Sequence, residues 1–341
     1  MFDYTVIPAK PRPILCLAGK TAGTPGNIGV VQAPVKSGKS TVMEAIMAAI
    51  FNVFSLSIDT LGFESENFEG KAVVHLDTEQ SPYDHDALVR RAMRRAKVHV
   101  TPDWFTSVCL TDFTVTDRLA AFEKILADEA RRCGGVFMVL IDGVADLCLD
   151  PNDPAEAFAL VGRLHALAVD HDCLILLAIH ENPGSEAGKT RGHLGSQLER
   201  KAETPFRLAK DAATGTTTIW SDRARHGHIP REQGSCFSWS DEAGMHVSRG
   251  SASAIKASAK NAKFREEAET AFGDQESLSY SALVESIMKT ANLKIDASKK
   301  RVQSYCAEGI VSKLIDGSER GTYSLVPARG VSVLTQCKPG V

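Results

Sequence analysis

Residues 32–41 read Gln32-Ala33-Pro34-Val35-Lys36-Ser37-Gly38-Lys39-Ser40-Thr41, and the fold turns on how they are read. Gly38-Lys39-Ser40 has the form of the end of a phosphate-binding P-loop. In such a loop backbone N–H groups cradle the phosphates, the Lys ammonium reaches the outer ones, and the Ser hydroxyl holds Mg²⁺. The pattern asks for Gly five residues before Gly38, and Ala33 stands there instead. The flanks supply the context the motif requires. Asn27-Ile28-Gly29-Val30-Val31 is a short apolar run suited to a buried strand, and Thr41 to Phe54 is rich in Ala, Met, Ile and Val at helical spacing. Strand, tight loop and helix N-terminus together make an anion site. Ala33 through Thr41 is therefore the candidate nucleotide-binding segment; a chance Gly-Lys-Ser in an ordinary strand–turn–helix is the plainer alternative.

Working outward, 341 residues suggest one large domain, or one large and one small. The 43% apolar content is enough for a substantial core, and a net charge of −3 argues against a strongly basic nucleic-acid coat while permitting a local basic channel. Eight cysteines lie scattered with no Cys-x-x-Cys pair, which fits reduced thiols better than a disulfide framework or a zinc site. The first residues lack the basic start and apolar stretch of a signal peptide, and no apolar run reaches the length of a membrane span. A cytoplasmic protein without a membrane partner is the expectation.

From 26 to about 210, strand-like runs at 28–32, 72–77, 105–110, 136–142, 173–179 and 204–209 alternate with helical stretches near 40–55, 84–97, 117–132, 155–170 and 194–202. Such alternation predicts an α/β fold, a mostly parallel sheet with helices on both faces. Residues 215–221 and 235–248 read as antiparallel strands added at the sheet edge. The organisation expected is a leading segment, 1–25, packed on the core; an ATPase-type domain, 26–250; a linker running into a helix, 251–275; a small unit, 276–326; and a tail, 327–341. The small unit has two helical patterns, Ser279–Ala291 and Ala297–Glu308, then two strand-like runs flanking Asp316-Gly317 and Gly321. That is a hairpin signal, and the whole is similar to a small winged helix-turn-helix.

Three further strand ends carry polar residues. Val136 to Asp142 is a buried strand ending in a carboxylate, which beside a P-loop can serve Mg²⁺ or its water; Asp142-Gly143 is also a turn dipeptide. Ala72 to Asp77 runs into Thr78-Glu79-Gln80 and places Glu79 at the C-terminal sheet edge, where a carboxylate can orient or deprotonate an attacking water, or merely start the next helix. Cys173 to His180 ends in an imidazole that can hydrogen-bond a γ-phosphate, or simply cap a strand.

The order Gly38-Lys39-Ser40, Asp77-Thr78-Glu79-Gln80, Leu140-Ile141-Asp142, His180 resembles the ATPase core shared by RecA, the DnaB-type helicases and KaiC. It looks most similar to the hexameric plasmid helicase RepA and its AAA-like relatives on mobile elements, over roughly residues 15–248. The resemblance implies a RecA-like fold, Glu79 as catalytic base, Asp142 as the Walker B metal residue, and His180 as phosphate sensor. It further implies ATP and Mg²⁺ as ligands, with Lys39 and the 33–41 loop on the phosphates. Ala33 departs from the family pattern and bears on turnover more than on binding.

The stretch after His180 holds Gly188-Lys189-Thr190-Arg191, which mimics a second P-loop but has Pro183 at the first Gly position. Lys189 and Arg191 instead suit a loop gripping a nucleic-acid backbone, as the corresponding loop does in RecA-like proteins, or an ordinary surface loop. Arg223 and Arg225 follow an edge strand at about the place where RecA-like rings carry a finger to the neighbour's γ-phosphate, a contact worth ~10³ or more in rate. Lys294, Lys299, Lys300 and Arg301 in the small unit could meet DNA phosphates, although acids are interspersed and such a unit could instead dock a protein. The function expected is an ATP-hydrolysing ring, hexameric, acting on single-stranded DNA in the manner of a replicative helicase. An ATP-switched DNA-binding regulator or scaffold is the alternative, and a small-molecule kinase a weaker third.

Overall fold

The computed structural model describes residues 7, 9–54, 56–182, 190, 192–314 and 321–327. The chain divides into two compact units, Met1–Ala252 and Ser253–Val341.

The first unit opens with β1 (Leu15–Leu17), β2 (Lys20–Gly23) and β3 (Asn27–Ala33), and β3 leads through the 34–38 loop into α1 (Lys39–Phe51). After β4 (Phe63–Glu64) the chain alternates: β5 (Ala72–Asp77), α2 (Pro82–Ala96), β6 (Phe105–Cys109), α3 (Val115–Cys133), β7 (Val136–Asp142), α4 (Pro154–Asp170), β8 (Leu174–His180), α5 (Gly192–Lys201) and β9 (Thr204–Lys210). Three more strands follow: β10 (Thr217–Trp220), β11 (Ser235–Ser240) and β12 (Met245–Ser251). Local chemistry sets the helix starts. Ser81 and Asp153 accept the N–H groups of Asp84 and Glu156 at the heads of α2 and α4, each with Pro at the first helical position.

Nine strands form one sheet in the order β12-β11-β10-β9-β3-β8-β7-β5-β6. The six strands from β9 to β6 are parallel, and β10, β11 and β12 add antiparallel at the other end. This is the α/β architecture that the alternating pattern predicts, and it is RecA-like, as the resemblance implies. The central strands are apolar on both sides, as strands covered by helices on both faces must be. Along β8, Leu174, Leu176 and Ala178 join α1 and α2 in one core, and Ile175, Leu177 and Ile179 join α3, α4 and α5 in the other. Each such fully buried aliphatic side chain contributes roughly 1.5–3 kcal/mol.

Helix α1 is apolar nearly all round because it is covered all round: 11 of its 13 residues are buried. Its one acid, Glu44, is 2% exposed and is held by Arg95 at 2.8 Å and Arg91 at 3.0 Å, both on α2. A small antiparallel sheet, β2-β1-β4, adds Leu15, Leu17 and Phe63 to the same core. Sequence patterning does not foresee these three short strands, since runs of two to four residues leave no periodicity to count.

The second unit consists of α6 (Ala252–Phe272), β13 (Leu278–Ser279), α7 (Tyr280–Thr290), α8 (Ile295–Ala307), β14 (Val311–Leu314) and β15 (Thr322–Leu325). Its antiparallel sheet has the order β13-β15-β14, and helix, strand, helix, helix, hairpin is the element order of a winged helix-turn-helix. Phe272, Leu283, Ile287, Val302 and Tyr305 make its core. Asp316 and Gly317, the expected hairpin turn, lie outside the described residues. Where the sequence suggests a linker running into a helix over 251–275, α6 is helical from Ala252: the stretch is Ser-rich, but its many Ala, Lys and Glu residues are strong helix formers.

Candidate functional site

The C-terminal ends of β3, β5, β7 and β8 share one sheet edge, and the register aligns their last residues in two neighbouring pairs, with β8 running on past the end of β7. Ala33 pairs with His180 and Asp77 with Asp142. Strand β7 is not next to β3; β8 lies between them. Asp142 still meets the P-loop because α1 leaves β3 over its neighbours, and Ser40 Oγ donates to Asp142 Oδ2 at 2.7 Å.

The P-loop closes as its sequence requires. Gly38 heads α1 in left-handed backbone, φ 98°, and a Cβ there would come within 3.2 Å of the Phe237 ring. The Ser37 N–H reaches Pro34 O at 3.3 Å, and the Val42 N–H reaches Gly38 O at 3.1 Å. Val35 and Lys36 are exposed, Lys36 with φ 61°. Thr41 Oγ1 lies 3.2 Å from His246 Nδ1 on β12. Ala33 ends β3 in regular pairing, fully buried, and is not among the positive-φ residues. The position where the motif asks for Gly thus needs no glycine conformation in this chain.

Lys39 is 7% exposed; its Nζ is 2.8 Å from His180 Nδ1 and 3.2 Å from Nε2. His180 Nε2 is 3.3 Å from Glu79 Oε2. A lysine can only donate, so Nδ1 accepts and Nε2–H faces the carboxylate. Burial pulls the Lys39 amine below its ordinary pKa, against the attraction of Glu79 and Asp142. The hydrogen bond from His180 holds the Glu79 carboxyl below its ordinary range, outweighing burial, with the charges of His180 and Lys39 assisting. Glu79 is therefore ionised at neutral pH, the state a proton acceptor needs.

Asp142 is the reverse case. Burial pushes it up to about 6, and the negative charges of Asp77 and Glu79 add to that, while Ser40 and Lys39 pull it down. Its Oδ1 is buried with no hydrogen-bond partner, and Oδ2 takes Ser40 and, at 3.4 Å, Gln80 Nε2. A hydroxyl beside a carboxylate with an unspent oxygen suits Mg²⁺, which takes hard oxygen ligands, keeps several waters and shares phosphate oxygens. Among the described residues no group of three or more His, Cys, Asp or Glu side chains could hold a metal, so no all-protein cage competes with that arrangement.

Two contributors escape sequence reading. Gly143 has φ 99°, and a Cβ on it would lie 2.3 Å from Thr78 Oγ1 and 2.6 Å from Glu79 Cγ. Thr78 Oγ1 donates to Gly143 O at 2.8 Å, which ties the Glu79 turn to the end of β7. Asp-Gly signals a turn in the sequence, but not which side chain needs the space.

Arg223 and Arg225 lie elsewhere. Strand β10 runs away from the P-loop edge: Thr217 Oγ1 reaches Ser37 O at 3.4 Å, whereas Ser221 Oγ donates to Pro205 O at the start of β9. Arg225 N–H bonds Glu203 O, and its Nη1 is 3.2 Å from Asn27 Oδ1, the first residue of β3. Arg223 is 76% exposed and reaches Glu199 at 3.5 Å. Both belong to the sheet edge opposite their own P-loop. Lys189 and Arg191 lie outside the described residues. In the second unit Arg301 is engaged by Glu267 and stacks 4.6 Å from the Phe264 ring, while Lys299 and Lys300 are exposed.

Fold and site together define a P-loop nucleotide-binding protein of α/β, RecA-like architecture. Residues 22–186 match the family model of the AAA domain, a span that runs from β2 through the P-loop, Glu79 and Asp142 to just past His180. The match indicates a P-loop ATPase of the AAA/RecA-like superfamily, a group that generally uses ATP and Mg²⁺. No curated protein matches the sequence. No helix among the described residues is long and apolar enough to cross a membrane.

Proposed function

We propose that this protein hydrolyses ATP with Glu79 as the base, works as a ring of the RepA/DnaB type, hexameric, and acts on single-stranded DNA. The observation that carries the hydrolytic part is the convergence of four strand ends: Lys39, His180 and Glu79 in one hydrogen-bonded row, with Ser40 bonded to Asp142 beside it. Lys39 and the loop N–H groups bind the phosphates, and His180 orients Lys39 and contacts the γ-phosphate. Glu79 takes a proton from water as its oxygen bonds to the γ-phosphorus, and the β–γ bridging oxygen leaves with ADP. Ser40 and Asp142 would hold Mg²⁺, which when bound neutralises charge on the phosphate oxygens.

The ring reading is supported by the place of Arg223 and Arg225 on the sheet edge far from their own P-loop, from which an arginine finger would have to act on another chain's phosphate. The DNA reading is supported by the winged-helix order of the second unit and by exposed Lys299 and Lys300 on α8. That same unit favours the alternative of an ATP-switched, DNA-bound regulator without unwinding. ATP hydrolysis measured with and without single-stranded DNA, with particle size measured alongside and a strand-displacement assay, separates these. Glu79→Gln should bind ATP and lose hydrolysis by about 10²–10⁴-fold. A monomer indifferent to DNA would refute the ring and DNA parts, and normal turnover by Glu79→Gln the base.

A further inference from the structure

Asp77 ends β5 with its side chain fully buried, two residues before Glu79. Its Oδ1 accepts the N–H groups of Glu79 at 3.0 Å and Gln80 at 2.9 Å. Its Oδ2 faces His85 Nδ1 on α2 at 3.4 Å. His85 Nε2 is 3.0 Å from Ser107 Oγ on β6, and Ser107 Oγ is 2.8 Å from His75 Nδ1, back on β5. The two imidazoles stack, with centroids 5.3 Å apart and planes within 8°. His75 is fully buried, and its Nε2 has no partner.

With both imidazoles neutral, this chain has one direction. A carboxylate only accepts, so His85 Nδ1 carries a proton and Nε2 accepts from the Ser107 hydroxyl. Ser107 then accepts from His75 Nδ1–H. What remains is the bare His75 Nε2, an acceptor left empty rather than a donor.

Burying a carboxylate, a hydroxyl and two imidazoles beside β5, whose other residues are Ala, Val and Leu, is unfavourable compared with an apolar clamp. What such a clamp could not do is accept two backbone N–H groups from the turn between β5 and α2. That turn carries Glu79, whose carboxylate faces His180, and Gln80, whose amide faces Asp142. We propose that Asp77 is a positioning residue for hydrolysis, and that the His85–Ser107–His75 chain holds its carboxylate so that Glu79 and Gln80 keep their aim. Ser107 sits on β6, at the end of the sheet order, so that edge strand is connected to the turn through this hydrogen-bonded chain. The inference rests on Glu79 being the base.

The test uses full-length Ser107→Ala, Ser107→Thr, His85→Gln and Glu79→Gln. Steady-state hydrolysis, affinity for a fluorescent ATP analogue and thermal unfolding are measured on each. Ser107→Ala and His85→Gln should lower kcat about tenfold, since small misplacements of a reacting group are costly. KM and analogue affinity should stay within about twofold, and Ser107→Thr, which keeps the hydroxyl, should recover most of kcat. A lowered melting temperature with kcat per folded molecule unchanged overturns the inference, as does a Thr variant no better than Ala. So does equal loss of affinity and turnover. Inactive Glu79→Gln beside fully active Ser107→Ala overturns this inference alone; a wild-type rate in Glu79→Gln overturns the base assignment and this inference with it.

Discussion

Lys39 Nζ lies 2.8 Å from His180 Nδ1, so the cation of the P-loop and the imidazole at the tip of the next strand are one hydrogen-bonded unit. The contact follows from register: Ala33 and His180 are Cα partners, and Lys39 heads the helix that the loop from Ala33 leads into. His180→Ala should therefore lower ATP hydrolysis by about 10²-fold, the usual loss when one preorganised polar contact to developing charge is removed. ATP affinity should change only a few-fold, because Lys39 and the loop N–H groups remain. Lys39→Ala should lose binding itself. Single-turnover hydrolysis beside analogue binding separates the two, and a His180→Ala variant that binds poorly but turns over normally would contradict the assignment.

Asp142 makes stability depend on pH with a definite sign. Its folded pKa, about 6, lies above the ordinary 3.8, so the native state binds the proton more tightly than the unfolded chain does. The resulting stabilisation is complete below 3.8 and is lost as pH rises through about 6. In Mg²⁺-free buffer at high pH the ionised carboxylate is a burden, and Asp142→Asn should raise stability there by about 2 kcal/mol. The gain should shrink to less than half at pH ~4.5. Urea unfolding at the two pH values measures both, and a variant less stable at the higher pH would refute this account. Mg²⁺-dependent hydrolysis should fall in the same variant.

Gly143→Ala should affect both stability and turnover. The left-handed backbone and the close approach of Thr78 and Glu79 predict a loss of about 1–3 kcal/mol. The added methyl also displaces Glu79, so hydrolysis should fall further than nucleotide affinity. Denaturant unfolding together with the same kinetic assays checks it; a variant with unchanged kcat would mean that Glu79 does not need this space.

Arg223 and Arg225 differ in how they are held. Arg225 is fixed through its backbone to Glu203 and through its side chain to Asn27, whereas Arg223 extends 76% exposed toward Glu199. Arg223→Ala should bind ATP normally and lose hydrolysis by ~10³-fold if it acts on a neighbouring chain's phosphate. Arg225→Ala should lose less. Mixing Arg223→Ala with Lys39→Ala should restore some activity, because each supplies what the other lacks; absence of any recovery would count against action between chains.

Most of the fold is legible in the residues. Val136–Asp142 and, interrupted by His75, Ala72–Asp77 are largely apolar runs whose limits coincide with the strands, because a strand buried on both faces is mostly apolar. The starts of α2 and α4 are written as Ser81-Pro82 and Asp153-Pro154. The β1–β4 ribbon is not legible, since short strands are defined by their partners rather than by their own pattern. Of the site, Lys39 and Ser40 can be listed from the P-loop motif, and Glu79, Asp142 and His180 as polar groups at or just past strand ends whose roles only the family resemblance implies; the intervention of β8 between β3 and β7 cannot be read at all. Neither can the engagement of Arg301 by Glu267, which removes a cation that the charge pattern offers to DNA.

By itself the sequence determined the alternation of strands and helices, the P-loop chemistry of Gly38-Lys39-Ser40, and the polar residue waiting at the end of each core strand. These are local properties: periodicity, backbone freedom and side-chain type belong to a few consecutive residues. The tertiary structure decided which strand ends meet, that Ala33 lies in unstrained backbone, and that Asp77 is wired through His85 and Ser107 to His75. It also put Arg223 and Arg225 at the far edge from their own P-loop. Those are matters of strand order and register, set by the packing of helices on both sheet faces, and residues tens of positions apart carry no mark of them until the chain has folded.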